Sequence, residues 1–408
     1  MANVLKNFSR QPKILLEFTS KTGLITSSLN FEVKVKTRRH FSNAMRRVYH
    51  LQNRRSLCLA KVCSRIGSGE RCMSTSIETD PSKRTVDPYS LVETEINSIT
   101  QDIRRELVTV DPELLSVAEY YFDGQGKLFR PMLIMLVAKA LNFHVNKQDC
   151  LLPSQQKIAM IAEMIHTASL MHDDVIDAAD TRRNKPSINQ VWGQKKSIIA
   201  GDYVMAMASI ALARIRDEEV VSVVSQITED LVRGEFMQLG SKENDEERFN
   251  HYINKSFKKT ASLLANSCKA VAVLGKCDEE LAEAAFNYGK NIGISFQLID
   301  DLLDFTSCDQ VMGKPTAADL KLGLATAPVL YAARKYPQLN ALIMRRFSQE
   351  GDIELTRELV AKSNGVSETR KLAEQHSEEA VKQIKTLQKS DCLKALEVIA
   401  KLVLSRNK

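Results

Sequence analysis

The sequence predicts an all-α fold: one large helical domain with a central cavity lined by two Asp-rich helices. Three observations carry that expectation. Over residues 91–405 apolar side chains recur at spacings of three and four, the period of helices with a buried face. No stretch alternates apolar and polar residues as a half-buried strand would. The same acidic pattern also appears twice within apolar sequence, as Asp173-Asp174-Val175-Ile176-Asp177 and Asp300-Asp301-Leu302-Leu303-Asp304.

Residues 1–77 stand apart as a leader. Six Lys and nine Arg against Glu17, Glu32 and Glu70 give it a net +12, so the overall +7 leaves the remainder at −5. The folded part is therefore not basic, which argues against a nucleic-acid partner. Arginine pairs at 38–39, 46–47 and 54–55, abundant Ser and few acids match a mitochondrial transit peptide, with the matrix as destination. A basic arm kept on the mature chain is the alternative. The Ser-rich stretch after Arg71 is the neighbourhood of a cleavage site. Eight scattered cysteines without a CxxC pair read as free thiols in a reducing compartment.

Residues 78–408 form the helical domain. After a polar linker with Pro81 and Pro88, helices are expected over 91–107, 131–141, 156–178, 198–215, 218–239, 249–274, 279–305, 325–336 and 367–405. Breaks are expected at Gly124-Gln125-Gly126, 184–186, 240–245, 313–315 and Gly351. The hydrophobic content of 44% is ample for a core. The longest apolar run, 203–213, is shorter than a bilayer span, so the chain reads as soluble, with at most peripheral contact with the inner membrane.

On a helix the first and last aspartate of each acidic pattern stand about 40° apart with the middle one close by, so each pattern is expected to present three carboxylates on one face. Crowded carboxylates resist ionisation unless a cation sits among them, and oxygen ligands without His or Cys suit Mg²⁺. A solvated acidic patch is the ordinary alternative. Apolar residues over 165–171 and 292–299 precede the two patterns, however, so these carboxylates line an interior or destabilise it.

Cationic counterparts follow. Gly126-Lys127-Leu128-Phe129-Arg130-Pro131 places Lys127, Arg130 and free backbone amides where a turn enters a helix, an anion site or a plain basic helix start. Arg182-Arg183 comes within about two turns of the first acidic helix. His166 precedes Asp173 by seven residues and shares its face; Gln297, four before Asp301, shares the second. Lys258-Lys259-Thr260 and Gly313-Lys314-Pro315 are weak motifs that gain weight from this company. No Walker loop or Rossmann glycine run is present.

The ordered set, Gly-Lys-x-x-Arg-Pro, DDxxD followed by Arg-Arg, Lys-Thr, Phe-Gln-x-x-Asp-Asp-x-x-Asp and Gly-Lys-Pro, resembles that of the trans-polyprenyl diphosphate synthases, the head-to-tail trans-prenyltransferases. The likeness covers nearly all of residues 90–408 and is strongest to mitochondrial long-chain members that make the ubiquinone side chain. It implies Mg²⁺-dependent extension of an allylic diphosphate, farnesyl or geranylgeranyl, by isopentenyl diphosphate to nonaprenyl or decaprenyl length. It further implies that Asp173, Asp174, Asp177, Asp300, Asp301 and Asp304 hold three Mg²⁺, with Asp173, Asp177 and Asp300 as direct ligands. Arg182, Lys259, Thr260, Gln297 and Lys314 would contact the allylic diphosphate, and Lys127, Arg130, His166 and Arg183 isopentenyl diphosphate. Arg182, Lys259 and Lys314 would then balance a diphosphate of about −3 once six carboxylates balance the metals. Family members pair through helices, as homo-oligomers or with a second, different subunit.

Product length is read from the first acidic helix, where the position five before Asp173 lies about 7.5 Å deeper. Short-chain relatives block that depth with an aromatic residue. Here Ala168 and Ser169, with Met164 and Ile165 a turn beyond, imply an open tunnel and a long product. One departure is Leu324 after Gly323, where many relatives carry Lys; Lys321 is nearby, and a partner chain has room to complete the site. A class I terpene cyclase would mix Asn, Ser or Thr and Glu in its second motif, which is all Asp here. A non-catalytic partner subunit would have lost site residues that this chain keeps.

Overall fold

A computed structural model of the chain describes residues 86–124, 126–239, 245–306 and 317–406. The leader and Gly313-Lys314-Pro315 lie outside them. The order is α1 (Glu93–Glu106), α2 (Pro112–Glu119), α3 (Phe129–Asn146), α4 (Pro153–Ile176), β1 (Thr181–Arg182), β2 (Lys185–Pro186), α5 (Ile188–Trp192), α6 (Gln194–Ala213), α7 (Glu218–Leu239) and α8 (Asp245–Ser256). A π-helical turn (Phe257–Ala261) leads into α9 (Ser262–Leu274), α10 (Glu279–Thr306), α11 (Ala318–Lys321), α12 (Ala327–Lys335), α13 (Leu339–Met344), α14 (Asp352–Lys362), α15 (Gly365–Gln383) and α16 (Asp391–Leu404). The fold is all-α, as expected.

Local chemistry sets several of these boundaries. Asp111 starts α2 by accepting from the Glu113 and Leu114 amides at 2.9 and 3.1 Å, with Pro112 in the first turn where no helical hydrogen bond is lost. Ser390 does the same for α16 through the Leu393 amide at 3.1 Å. Gln155 both starts α4 and ties it inward. Its Oε1 accepts from the Leu152 amide at 3.0 Å, while Nε2 donates to Asn142 Oδ1 on α3 at 3.0 Å and to the Val271 carbonyl on α9 at 2.9 Å.

The structure differs from the sequence reading in places. The helix expected over 249–274 is interrupted by the π turn, and that over 367–405 breaks between α15 and α16. Helices α2, α5, α11, α13 and α14 had no predicted counterpart; they are too short to set a clear apolar period. A two-residue antiparallel ladder, Thr181 opposite Pro186 and Arg182 opposite Lys185, also appears.

Helix α9, buried along most of its length, packs against α3, α4, α7 and α10. The two Asp-bearing helices, α4 and α10, thus share one partner. One apolar cluster joins α1–α4, α6, α9 and α16; a second surrounds the C-terminal half of α10 with α12–α15. Gly293 lets α10 meet the π turn at backbone distance, since a Cβ there would lie 2.5 Å from Ala261 Cα. That contact fixes the π turn against the helix that carries the second acidic pattern.

Candidate active site

Asp173 is half-buried and lines a cavity of about 260 Å³ with Ser169, Met205, Leu231, Glu235 and Lys259. Burial, opposed by Lys259 and assisted by Glu235 and Asp177, pushes its carboxyl up to about 6. Asp177 closes the C-terminus of α4, and burial raises it too. Asp174 does not share this face. It is fully buried, accepting from the Tyr121 hydroxyl at 2.5 Å and from Arg182 Nε at 2.9 Å and Nη2.

The second pattern repeats this division. Asp301 is buried and accepts from the Tyr252 hydroxyl and from Gln297 Nε2 at 2.8 Å; burial pushes it up to about 6 against those hydrogen bonds. Asp300 is exposed, 3.7 Å from Arg406 Nη2. Asp304 accepts from the Ala318 and Asp319 amides at 3.0 and 3.2 Å, tying α11 to α10. The expected face of three carboxylates is therefore corrected in both patterns. Adjacent helical residues diverge by about 100°, enough to turn the middle aspartate into the protein body.

Arg182 and Arg183 part ways at the turn between β1 and β2. Arg183 and Asn184 occupy the turn with φ of 53° and 62°, the left-handed pair of a tight two-residue hairpin. Arg182 goes to Asp174, and Arg183 reaches the Tyr121 carbonyl at 3.4 Å. A Cβ on Gly126 would lie 3.1 Å from Arg183 Nη1, so the glycine makes room for that guanidinium.

Lys127, Arg130, His166 and Arg183 all line one cavity of about 650 Å³, together with Tyr89, Glu163, Phe296 and Arg406. The Tyr89 hydroxyl donates to the Lys127 carbonyl at 2.7 Å, and Leu128 takes a left-handed φ of 46° between Lys127 and Arg130. Such backbone strain gathers at ligand clamps. Arg130 lines this cavity, and its buried Nε has no hydrogen-bond partner. Burial, then Arg130 and Arg183, hold His166 well below 6.5, so its imidazole is neutral.

The π turn distributes three consecutive residues. Lys258 pairs with Asp230 at 2.5 Å. Lys259 pairs with Glu235 and donates to Gln238 Oε1 at 3.1 Å. Thr260 donates to Gln297 Oε1 at 2.7 Å, and Gln297 in turn donates to Asp301. Adjacent residues thus reach α7 on one side and the second acidic helix, α10, on the other, and π turns are frequent at functional sites. Ser169 faces the smaller cavity, whereas Ala168 is fully buried in the core. Lys314 lies outside the described residues.

Several residues in these surroundings were not singled out from sequence: Tyr121, Glu163, Glu235, Tyr252, Lys255 and Asp319. Glu163 alone had a signal, three residues before His166 on the same helix face. Asp319 is pushed up to about 8 by burial and by Asp301 and Asp304. Lys255 is half-buried near Asp301 and Asp319, and it lines a small cavity with Leu324. Arg182 and Lys259, expected to balance a bound diphosphate, each already have a carboxylate partner.

Among the described residues no three His, Cys, Asp or Glu side chains converge into a metal cage. The all-oxygen donor set still fits a hard divalent cation held by one or two carboxylates and by substrate phosphate, and such a charge would relieve the burial of Asp173.

The family model for polyprenyl synthetase matches residues 111–360. The chain belongs to the polyprenyl synthetase family. This polyprenyl synthetase is 54% identical to the human all trans-polyprenyl-diphosphate synthase over 81% of its own length and 80% of the other's. It is 42% identical to decaprenyl-diphosphate synthase subunit 1 of Schizosaccharomyces pombe, over 78% and 91%. Its fold resembles the Caulobacter crescentus polyprenyl synthase solved with calcium and isoprenyl diphosphate, with a TM-score of 0.70, 28% identity and coverage of 79% and 97%. The resemblance read from the motifs is thereby established, and the synthetase is a trans-prenyltransferase.

Proposed function

We propose that the chain extends an allylic diphosphate, farnesyl or geranylgeranyl, with isopentenyl diphosphate to nonaprenyl or decaprenyl length, dependent on Mg²⁺. The carrying observation is that α4 serves two different cavities: His166 lines the larger, with Lys127, Arg130 and Arg183, and Asp173 the smaller, with Lys259. The cationic cavity suits isopentenyl diphosphate, whose two phosphates need donors but no metal. The smaller cavity, with Asp173 and Glu235 in its wall, suits the allylic diphosphate; Asp173 would hold Mg²⁺ there, with Asp177 and Asp300 as the further ligands that the motifs imply.

Bound Mg²⁺ supplies Lewis-acid stabilisation of the departing diphosphate. Lys259 donates to the same group, and Thr260 and Gln297 brace the second acidic helix beside it. Arg130, Lys127 and Arg183 orient isopentenyl diphosphate so that its double bond attacks the allylic carbon as the C–O bond breaks. A proton lost from the adduct to the released diphosphate completes a five-carbon extension. No side-chain nucleophile is required.

A long product is supported by Ser169 at the cavity wall and by the apolar lip of Ile176, Val232 and Phe236, all exposed. A partner subunit, identical or different, is supported by α6, an apolar helix on which Ile198, Ile199 and Ile210 are exposed. The basic leader supports a mitochondrial matrix location, and the likeness to long-chain polyprenyl diphosphate synthases supports a role in making the ubiquinone side chain. The test is incubation of the full chain, alone and with a candidate second subunit, with farnesyl diphosphate, radiolabelled isopentenyl diphosphate and Mg²⁺. A chromatographic ladder ending in a long polyprenyl product is expected. Failure to incorporate isopentenyl diphosphate in either arrangement contradicts the proposal.

A further inference from the structure

We propose that Glu235 is a positioning residue for the allylic diphosphate, acting by holding the Lys259 ammonium at the edge of the Asp173 cavity. The inference rests on the assignment of that cavity to the allylic substrate. Glu235 and Gln238 lie one turn apart near the C-terminus of α7, and both hold Lys259, the first as an ion pair and the second by accepting from Nζ at 3.1 Å. Gly234 completes the seat. A Cβ there would lie 2.7 Å from Lys259 Cγ and 3.1 Å from its backbone nitrogen, so only glycine admits the lysine stem.

The neighbouring lysine shows the contrast. Lys258 is held by Asp230, whose other oxygen accepts from Ser262 at 2.6 Å, and the Asp230 side chain is only 5% exposed. That pair locks the π turn to α7. The Lys259 and Glu235 side chains are 22% and 21% exposed and line the cavity with Asp173. An ammonium carries three donors. Glu235 and Gln238 take two, and the third is left for a diphosphate oxygen.

The negative charge of Glu235 has a second consequence. Lys259 is the cation that acts most strongly on both Asp173 and Asp177. Without Glu235 its flexible stem would let the ammonium collapse onto those carboxylates and neutralise the wall before substrate arrives. Held by Glu235, the lysine is already ordered, and the entropy of fixing a long side chain is not lost on binding.

The experiment is steady-state kinetics on the full chain in its native assembly, with wild type, E235A, E235Q, K259M and E235A/K259M, each checked for unchanged thermal unfolding. E235A should raise KM for farnesyl diphosphate by about tenfold, leave KM for isopentenyl diphosphate within about twofold, and be restored only in part by E235Q, which keeps the acceptor oxygen but not the charge. In the K259M background E235A should add nothing, because Glu235 acts through Lys259. An unchanged allylic KM, a parallel rise in both KM values, or an E235A effect that persists beside K259M overturns the inference. The last result would make Glu235 a ligand in its own right. A normal allylic KM in K259M overturns the cavity assignment and the inference with it, whereas a defective K259M beside a silent E235A overturns the inference alone.

Discussion

The half-buried Arg182 pairs with the fully buried Asp174, with Nε 2.9 Å from Oδ1, across the turn that follows the first acidic pattern. The Tyr121 hydroxyl occupies the other carboxylate oxygen at 2.5 Å and accepts from the Ile188 amide at 3.1 Å. One carboxylate therefore joins α4, the β1–β2 hairpin, the segment after α2 and the start of α5. Removing the guanidinium leaves that carboxylate uncompensated, so Arg182→Met should destabilise the fold by about 3 kcal/mol or more. Tyr121→Phe, which removes one hydrogen bond to the charge, should cost about 1–3 kcal/mol. Urea unfolding monitored by helical circular dichroism measures both; a loss under about 0.5 kcal/mol in each would remove the structural role of Asp174.

Gly293 makes a comparable claim about the second acidic helix. Gly293→Ala drives a methyl into the Ala261 backbone, and the overpacked contact should cost about 1–3 kcal/mol. Because the same contact seats the π turn, allylic KM should rise while KM for isopentenyl diphosphate stays near its wild-type value. A variant with wild-type melting temperature and kinetics would show that the two backbones separate freely.

Product length should respond to Ser169 more cleanly than to Ala168. Ser169 faces the cavity beside Asp173, so Ser169→Phe should fill it and shift the chromatographic ladder toward shorter products. Ala168 is fully buried, and Ala168→Phe should lower stability by about 1–3 kcal/mol through overpacking. An unchanged ladder in a folded Ser169→Phe enzyme would mean that the chain grows along another wall.

His166 gives the stability a pH dependence. Its folded value is held well below the 6.5 of the free side chain by burial and by Arg130 and Arg183. Below pH 6.5 the unfolded chain takes up a proton that the folded chain resists, so stability should fall as pH drops through 6.5 toward the folded value and change little above it. His376, lowered by burial and by Lys290, adds in the same direction. His166→Gln should flatten part of that slope in unfolding free energies measured between pH 5 and 8; an identical slope would place the titration elsewhere.

The helical class was legible because apolar periodicity dominates the chain, and of the two acidic patterns Asp173 is the residue that lines a described cavity. Lys127, Arg130, His166 and Arg183 were also legible, and one cavity gathers all four. The orientation of Asp174 and Asp301 was not, because it depends on Tyr121 and Tyr252, which lie 53 and 49 residues away from their partners. Glu235 gave no signal for the same reason: a glutamate on an amphipathic helix looks solvated until the π turn brings Lys259 to it. The π turn itself was hidden because it widens one turn without interrupting the apolar run, so 249–274 read as one helix. Lys255 could be connected to the position of Leu324 only through the tertiary fold, which lines one cavity with both.

The central claim, that Asp173 and Asp300 form two walls of one prenyl-transfer site, is tested most directly by isopentenyl incorporation in Asp173→Ala and Asp300→Ala. Each variant, folded and in its native assembly with saturating Mg²⁺ and farnesyl diphosphate, should lose at least about a thousandfold in turnover while still binding isopentenyl diphosphate at the Lys127 cavity. Near wild-type, Mg²⁺-dependent incorporation in both variants would contradict the account.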